Sequence, residues 1–408
     1  MAVVNNIKPL QIVYVIETFP SSTEYFILNE ILSLEKQGVN LLVLSIRKPK
    51  SSIFASGLDS LKASVLYAND FHSYFLILHW FTILKKISNH SKFPFFSWSF
   101  FRQLKNISLA LSVEKQLKNY NITHVHAHFA FIATDVGYIL SRLLNVNFSF
   151  TAHAQDIYLN QKRIIGKIES ATFVVTCTHY NLRYLNQLTK NRFNEKIYQI
   201  YHGIPEERNG FLQENKTVNL TNVRVLTVAR LVEKKGITYL LRAIKLLLDR
   251  GIKVSCEIIG DGPLKKELVN FVNKANINSY ITFKGTKTRS EVLQAMRVSD
   301  VFILPSITAS NGDMDGLPNV LLEAMTVGVP VISTNISAVP ELVEDNITGI
   351  MVPEKDEKAI ADAILKLIDD PALYQSILIN AKNKVTQGFN VNVSTKKMID
   401  LFRKYEKN

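Results

Sequence analysis

Short runs of β-branched and apolar residues alternate with longer amphipathic segments along almost the whole chain. Runs such as residues 10–16 and 301–306 are nearly continuously apolar, as expected for strands buried on both faces of a parallel sheet. The segments between such runs are long enough for helices. The alternation therefore predicts an α/β fold built from doubly wound parallel sheets. With 408 residues, the chain has material for two domains of this kind.

The predicted elements form two series separated by a polar stretch. Segment 203–222 lacks hydrophobic periodicity and contains Gly and Pro, so we predict a linker there. The predicted domains are therefore residues 1–203 and residues 204–390, with a last helix in 391–408 that packs back on the first domain. Because ligands in such folds bind outside the carboxyl ends of the strands, we expect two Rossmann-like domains facing across a cleft.

Each predicted strand is a short apolar run, and each predicted helix is an amphipathic segment. The predicted strands are near 10–16, 39–46, 63–67, 123–127, 147–152, 172–177, 197–201, 223–229, 254–260, 280–285, 301–306 and 330–334. The predicted helices are near 24–37, 99–119, 132–144, 179–188, 236–249, 263–275, 289–298, 318–327, 357–369, 371–387 and 391–406.

The positive charge is concentrated in the first half of the chain. The net charge is +13, and residues 1–203 carry 21 Lys and Arg against 11 Asp and Glu. Residues 204–408 carry 27 against 24. The excess of positive charge predicts an anionic partner for the first half. Judged by charge alone, nucleic acid and anionic lipid fit equally well. We predict no nucleic-acid partner, because the sequence contains no basic stripe on a known nucleic-acid-reading element.

Segment 71–101 is dense in Phe, Trp and Tyr, with Lys85, Lys86 and Lys92 interleaved. Aromatic and basic residues together are typical of an element that lies among lipid headgroups. The alternative is a helical hairpin whose aromatic side chains pack on the domain. No run reaches the roughly 18–20 apolar residues of a spanning helix, and no signal peptide is evident. We therefore expect a cytoplasmic protein at the inner face of an anionic membrane.

The chain contains two cysteines, Cys177 and Cys256, each inside an apolar run typical of a strand. Neither has the closely spaced partners of a disulfide framework or zinc site. We therefore expect two buried free thiols in a reducing compartment, and no metal.

The most informative stretch is 301–334. It combines a strand, a loop rich in Gly and Asp, and a helix that Pro318 is expected to open, since proline is favoured in a first helical turn. The free N–H groups of Gly316 and Leu317 then lie at the positive end of the helix dipole, where phosphate binds readily. Asp315 precedes this position. Glu323 follows about two turns into the helix, where its carboxylate can accept both hydroxyls of a ribose.

A second constellation follows the strand at 223–229. Arg230 is at the end of this strand, and Lys235 comes just before Gly236 at the predicted helix start. Two cations at this edge of the sheet can hold a diphosphate and neutralise a leaving group. Exposed loops often carry Arg and Lys, so the pair is informative only together with the 301–334 stretch.

These motifs resemble those of glycosyltransferase family 4, and the resemblance covers nearly the whole chain. In the second half it rests on ARLVEKKGI, IGDGPL, AVPELVED and the long stretch from LPSITASNGDMDGLP to PVIST. In the first half it rests on SSTEYFILNEI, HAHFA and TAHAQDIY. The sequence around NGDMDGLP is similar to the corresponding sequence in bacterial exopolysaccharide transferases of the colanic-acid type. The resemblance implies the two-domain GT-B fold.

The resemblance also implies roles for individual donor-site residues. Arg230 and Lys235 match the pair that holds the donor diphosphate, and Glu323 matches the glutamate that binds the ribose. Asp315 occupies the place of the family's first glutamate, so it keeps the charge but has a shorter reach towards the donor sugar. His153 matches the histidine that contacts this sugar near the reacting carbon.

All nine histidines are between His72 and His202, so a histidine at the reacting centre must come from the first domain. His126 and His128 end one predicted strand, and we predict that they bind the acceptor. Their spacing also permits a metal site, although no third ligand is evident nearby.

The expected acceptor site also includes Thr23 and Asp156. Thr23 is in the stretch TFPSST, which replaces the glycine-rich loop that many relatives carry after the first strand.

The predicted function is transfer of a sugar, with retention of configuration, from a nucleotide sugar to a lipid-linked saccharide. The departing phosphate oxygen would take the acceptor proton, and the cation pair would replace a metal. Two alternatives stay open: a nucleotide-sugar epimerase, and a catalytically silent scaffold subunit of a polysaccharide-assembly complex. A dinucleotide-dependent dehydrogenase does not fit, because Gly260 and Gly262 lack the third glycine of that fingerprint.

Overall fold

A computed structural model describes residues 9–21, 24–49, 57–68, 100–159, 161–205 and 222–406. The chain divides into two compact units. The first contains residues 1–177, 182–203 and 391–408, and the second contains residues 178–181 and 204–390. The second unit thus takes 178–181 from the predicted first domain. In the described ranges, none of the helices has both the length and the apolar character needed to cross a membrane.

The first unit is built on a parallel sheet with the strand order β3-β2-β1-β4-β5-β6-β7. Its strands are β1 (Gln11–Thr18), β2 (Asn40–Arg47), β3 (Ser64–Tyr67), β4 (His124–His128), β5 (Asn147–Ala152), β6 (Phe173–Thr176) and β7 (Ile197–Gln199). Its helices are α1 (Tyr25–Lys36), α2 (Phe100–Leu117), α3 (Ile132–Leu144), α4 (Ala154–Leu159), α5 (Gln161–Ser170), most of α6 (His179–Leu188) and a last helix at Val391–Lys404.

Strand β1 lies at the centre of this sheet, between β2 and β4, and both pairings are parallel. Ile12 to Ile16 are buried, so side chains on both faces of the strand are covered. This explains the continuous apolar run in the sequence. The strand order reverses at the β1–β4 pair, so the carboxyl ends of the central strands form the edge where ligands of such folds bind.

The second unit contains a parallel sheet with the order β10-β9-β8-β11-β12-β13. Its strands are β8 (Val223–Val228), β9 (Val254–Ile259), β10 (Ile281–Gly285), β11 (Val301–Leu304), β12 (Val331–Thr334) and β13 (Ile350–Val352). Its helices are α7 (Ile237–Asp249), α8 (Lys265–Lys274), α9 (Arg289–Val298), α10 (Asn319–Val327), α11 (Val339–Leu342), α12 (Glu357–Asp369) and α13 (Pro371–Gly388).

The last helix, α14 (Val391–Lys404), packs on the first unit although the second unit precedes it in sequence. Met398 and Phe402 are buried in the core that contains β1 and Phe173. The Thr395 hydroxyl lies 2.7 Å from the Ser33 hydroxyl of α1. Apolar burial and a hydrogen bond therefore both hold α14 against the first unit.

The structure contains four short elements that the sequence did not predict, namely α4, α5, α11 and β13. Helices α4 and α11 have six and four residues, and β13 has three, too few to show a hydrophobic period. Helix α5 is polar overall and includes Gly166. The predicted linker is outside the described residues over 206–221, and so is most of the aromatic segment 71–101.

Candidate functional site

In the second unit, the loop after β8 brings two lysines to the carboxyl edge of the sheet. The chain makes one 3-10 turn over Glu233–Lys235, and Gly236 then adopts a left-handed conformation with φ of 64° before α7 begins. A Cβ atom on Gly236 would lie 1.9 Å from the carbonyl oxygen of Pro305. The glycine therefore permits close packing of the loop on the end of β11 and sets the position of both lysines.

Asp315 is bound to both lysines. Its carboxylate lies 2.6 Å from Lys235 Nζ and 3.6 Å from Lys234 Nζ. The Ser306 hydroxyl donates a further hydrogen bond of 2.9 Å to it. Burial alone would raise the pKa of Asp315, but the two lysines and these hydrogen bonds lower the pKa below its ordinary value. Asp315 is therefore an ionised carboxylate whose charge is balanced by Lys235, a member of the predicted diphosphate clamp, and by Lys234.

Helix α10 begins next to this cluster, one residue later than expected. Pro318 is the N-cap, and no side chain caps the helix. Gly316 and Leu317 come directly before it and are partly exposed. Among the described residues, no backbone carbonyl accepts a hydrogen bond from the N–H of either residue. An uncapped helix start beside lysine side chains has the electrostatic character of a phosphate-binding site.

Glu323 is in the second turn of α10 and is almost fully buried. Its Oε1 lies 2.7 Å from the Arg289 guanidinium at the first residue of α9. Thr288 and Glu291 form a capping box that fixes the start of α9. Glu323, the residue predicted to bind the ribose, is therefore an oriented carboxylate with a partly buried cationic partner.

We expect Arg289→Met to lower the free energy of unfolding by about 3 kcal/mol, because it removes the cation that lies 2.7 Å from the buried Glu323 carboxylate. Urea or thermal unfolding checks this value. The matched control is Arg250→Met, which removes the exposed Arg250–Asp362 pair of 2.8 Å and should cost no more than about 1 kcal/mol. Equal losses of unfolding free energy in the two variants would show that Arg289 does not stabilise the buried Glu323 carboxylate.

Arg230, the other predicted member of the clamp, is exposed at the start of the loop after β8. In the ranges that the structure describes, no hydrogen bond or ion pair engages its guanidinium. Lys235 is instead held by Asp315. The two predicted cations thus differ: one is positioned by a carboxylate, and the other is accessible.

In the first unit, His153 directly follows β5 and is 9% exposed. Its backbone N–H donates a 2.9 Å hydrogen bond to Asp156 Oδ2, which also accepts a 2.7 Å bond from the Ala130 N–H. Lys167 donates to the carbonyl oxygens of Ala130 and Phe131. Burial raises the pKa of Asp156 to about 7, although both backbone hydrogen bonds and Lys167 oppose the shift. Asp156 thus joins the chain after β4 to the chain after β5.

His126 and His128 are both fully buried, but their ring nitrogens differ. The nitrogens of His126 lie 2.7 Å from the Ser149 hydroxyl and 2.9 Å from the Thr151 hydroxyl. An acceptor would therefore have to displace one of these hydroxyls. His128 Nε2 lies 3.3 Å from Glu30, whose other partner is the Tyr14 hydroxyl at 2.8 Å. Thr23, the remaining predicted acceptor residue, is outside the described residues.

His153 has two neighbours that the sequence did not place in the site. Cys177 Sγ lies 3.6 Å from His153 Nδ1 and 2.8 Å from His202 Nε2, and the two ring nitrogens are 3.4 Å apart. Burial lowers the pKa of His153 and lowers that of His202 to about 4, so both rings are neutral near pH 7. Cys177 and Cys256 are free and buried, as expected.

The other residues that sequence reasoning missed are Arg289, Ser306 and Lys234. No motif singled out Arg289 or Ser306. Lys234, however, precedes Lys235 in the same loop, and its charge was visible in the sequence. Asp313, its partner at 3.0 Å, belongs to the NGDMD stretch. In the structure this stretch therefore engages a lysine.

Comparison with known proteins finds a family model that matches part of the second half of the chain. Residues 210–384 match the family model described as Glycosyl transferases group 1. The amylovoran biosynthesis glycosyltransferase AmsK of Erwinia amylovora is 35% identical over 182 residues, 45% of this chain and 45% of that protein. WcaL of Salmonella typhimurium, named for colanic acid biosynthesis, is 37% identical over 183 residues, 44% of this chain and 45% of WcaL. The chain thus spans less than half the length of these relatives.

A third relative aligns over a longer range. The Escherichia coli protein named UDP-Gal:alpha-D-GlcNAc-diphosphoundecaprenol alpha-1,3-galactosyltransferase is 26% identical over 320 residues, 73% of this chain and 80% of that protein.

Solved structures resemble the fold over nearly its whole length. A glycosyltransferase from Rickettsia africae superposes with a TM-score of 0.73 at 18% identity and covers 98% of this chain and 100% of its own. HepE of Anabaena, solved with UDP, has a TM-score of 0.72 at 18% identity, with 97% and 100% covered. These neighbours confirm the predicted GT-B fold class of two Rossmann-like domains. Residues 210–384 thus match the model of the glycosyl transferases group 1 family, in agreement with the resemblance that the motifs predicted.

Proposed function

We propose that the protein is a retaining glycosyltransferase. It transfers a sugar from a nucleoside-diphosphate sugar to a lipid-linked saccharide in the biosynthesis of a surface polysaccharide. The observation that carries the proposal is the cluster at the carboxyl edge of the second sheet. There Lys235, Asp315 and the uncapped start of α10 lie together, with Glu323 in the second turn of the helix.

The cations, the helix start and Glu323 have tasks in the proposed reaction, and Asp315 holds Lys235 in position. Lys235 and Arg230 bind the diphosphate, and the N–H groups of Gly316 and Leu317 bind phosphate oxygens at the helix start. Glu323, oriented by Arg289, accepts hydrogen bonds from the ribose hydroxyls. As the bond to the sugar breaks, negative charge grows on the departing phosphate. The same cations stabilise that charge without a metal at the diphosphate.

In the first unit we propose that His153 hydrogen-bonds the transferred sugar. Its Nε2 is buried and makes no hydrogen bond to any described residue, so the nitrogen is available to a ligand. For acceptor binding we retain Thr23, His126, His128 and Asp156 as candidates. Retention of configuration follows if the departing phosphate takes the acceptor proton on the face from which it leaves.

The substrate classes are supported by the relatives' names and by charge. AmsK is named for amylovoran biosynthesis and WcaL for colanic acid biosynthesis. The galactosyltransferase is named for a GlcNAc-diphosphoundecaprenol acceptor, and HepE was solved with UDP. The excess positive charge of residues 1–203 favours an acceptor presented at an anionic membrane. We therefore place the protein at the inner membrane face.

A nucleotide screen tests the donor class. We expect UDP or GDP, but not CMP, to raise the melting temperature, because a ligand at 100 times its dissociation constant stabilises the folded state by about 2.7 kcal/mol. The nucleotide that binds identifies the donor sugars to assay, and NMR of the product gives the anomeric configuration.

Three results would count against the proposal. No shift with any nucleotide at millimolar concentration would favour the scaffold alternative. An inverted product would exclude retention. Failure of the protein to float with anionic liposomes would exclude the membrane location.

A further inference from the structure

We infer that His153, Cys177 and His202 form a binding site for a zinc-class metal ion in the first unit. The three residues follow three adjacent parallel strands. His153 follows β5, Cys177 follows β6, and His202 comes three residues after the end of β7. Because parallel strands end at the same edge of a sheet, residues far apart in sequence converge there.

Two of the three donor-atom separations match the edges of a metal tetrahedron. Bonds of about 2.3 Å to sulfur and about 2.05 Å to nitrogen give edges of about 3.6 Å for S···N and about 3.3 Å for N···N. The distance from Cys177 Sγ to His153 Nδ1 is 3.6 Å, and that between the two ring nitrogens is 3.4 Å. The third edge, from Sγ to His202 Nε2, is 2.8 Å and must widen by about 0.8 Å.

The chemistry of the donor set selects the ion. One thiolate and two imidazoles are ligands that zinc prefers, and hard cations such as Mg²⁺ and Ca²⁺ bind oxygen ligands instead. All three ligand atoms lie within 4.8 Å of one another. Glu30 lines a small cavity together with His202. A carboxylate beside the site would balance the charge that remains after a thiolate binds a divalent ion.

A second group of potential ligands, Glu30 with His126 and His128, is less suitable. Both nitrogens of His126 are engaged by the Ser149 and Thr151 hydroxyls, so binding an ion would break one of these hydrogen bonds. For His153 Nδ1, by contrast, the hydrogen-bond partners among the described residues are the other two members of its own cluster. The sequence spacing of His126 and His128 therefore indicated the less suitable pair.

Metal at Nδ1 has a consequence for the other nitrogen of His153. A histidine bound through Nδ1 carries its proton on Nε2, which then acts as a hydrogen-bond donor. This consequence rests on the proposed function, in which Nε2 meets a sugar oxygen. The metal site itself does not, because metal binding is measured without any sugar donor.

The experiment measures metal in the full chain. After purification without chelators or metal-affinity resin, wild type should contain about one zinc per chain by mass spectrometry. Cobalt added to zinc-free protein should give a thiolate charge-transfer band and the strong visible bands of four-coordinate cobalt. Cys177→Ser should abolish the charge-transfer band and weaken zinc binding at least tenfold. Cys256→Ser removes the other buried cysteine and should leave both measurements unchanged.

A second variant tests the metal site if Cys177→Ser does not fold. His202→Cys keeps three ligands and adds a thiolate, so its cobalt complex should absorb more strongly in the charge-transfer region. The inference is overturned if wild type binds no stoichiometric zinc and gives no thiolate–cobalt band. It is also overturned if Cys177→Ser retains zinc as tightly as wild type.

Discussion

Lys235→Ala should lower kcat/KM for sugar transfer by about 10²–10³-fold, and it should abolish the thermal shift given by the donor nucleotide. The side chain is mostly buried and lies 2.6 Å from Asp315 beside the start of α10. Its charge is therefore fixed where the proposed diphosphate binds. A positioned cation at a departing phosphate acts mainly on the transition state, so kcat should fall as well as affinity.

Two control variants separate this role from folding. Lys235→Arg keeps the positive charge and should retain more nucleotide binding than the alanine variant. Lys245→Ala removes an exposed lysine paired with Asp249 on the same unit and should behave as wild type. Unliganded melting temperatures show whether the variants fold. If Lys235→Ala folds and binds the nucleotide with wild-type affinity, the proposed donor site is wrong.

Gly236→Ala should destabilise the second unit by about 2–5 kcal/mol. A left-handed conformation costs a residue with a Cβ atom about 1–2 kcal/mol, and forced overlap in a packed site adds about 1–3 kcal/mol. Both costs apply, because φ is 64° and the new Cβ would lie 1.9 Å from the Pro305 carbonyl oxygen. Relief of the overlap must move the loop that carries Lys234 and Lys235, so nucleotide binding should weaken too.

Gly251→Ala is the matched control for this substitution. Its φ is 78°, but the added Cβ would have nothing within 4 Å, so only the conformational cost remains. We expect a loss of about 1–2 kcal/mol and unchanged nucleotide binding. Thermal and urea unfolding of both variants provide the measurement. Equal losses at the two glycines would show that contact with Pro305 does not constrain the loop.

Most of the fold could be predicted from the sequence, because strands buried in a parallel sheet consist of nearly continuous apolar runs. Strand β1 is an example, since five consecutive residues from Ile12 to Ile16 are buried. The elements that were missed are short or polar, as in β13 and α5, and their positions depend on packing that no local pattern records.

The donor-site residues were predicted better than their contacts. Lys235 and Asp315 were identified from separate motifs, but their ion pair was not foreseen, because it joins residues 80 positions apart. The same limit explains why the sequence did not place Cys177 in the site. Its apolar neighbours in sequence indicate a strand, while His153 and His202 approach it only when β5, β6 and β7 align. Arg289 belongs to no motif that we identified in the sequence. Its role becomes visible only through its contact with Glu323 in the structure.

The position of α14 has a consequence for how the protein is made. On the ribosome, the first unit emerges long before Val391–Lys404 are synthesised, so the surface that Phe402 covers beside His124 and Phe173 stays open meanwhile. The whole second unit is translated during that interval. A nascent chain stalled before residue 391 would therefore expose an apolar groove to chaperones, and the first unit would be completed only when the helix leaves the exit tunnel.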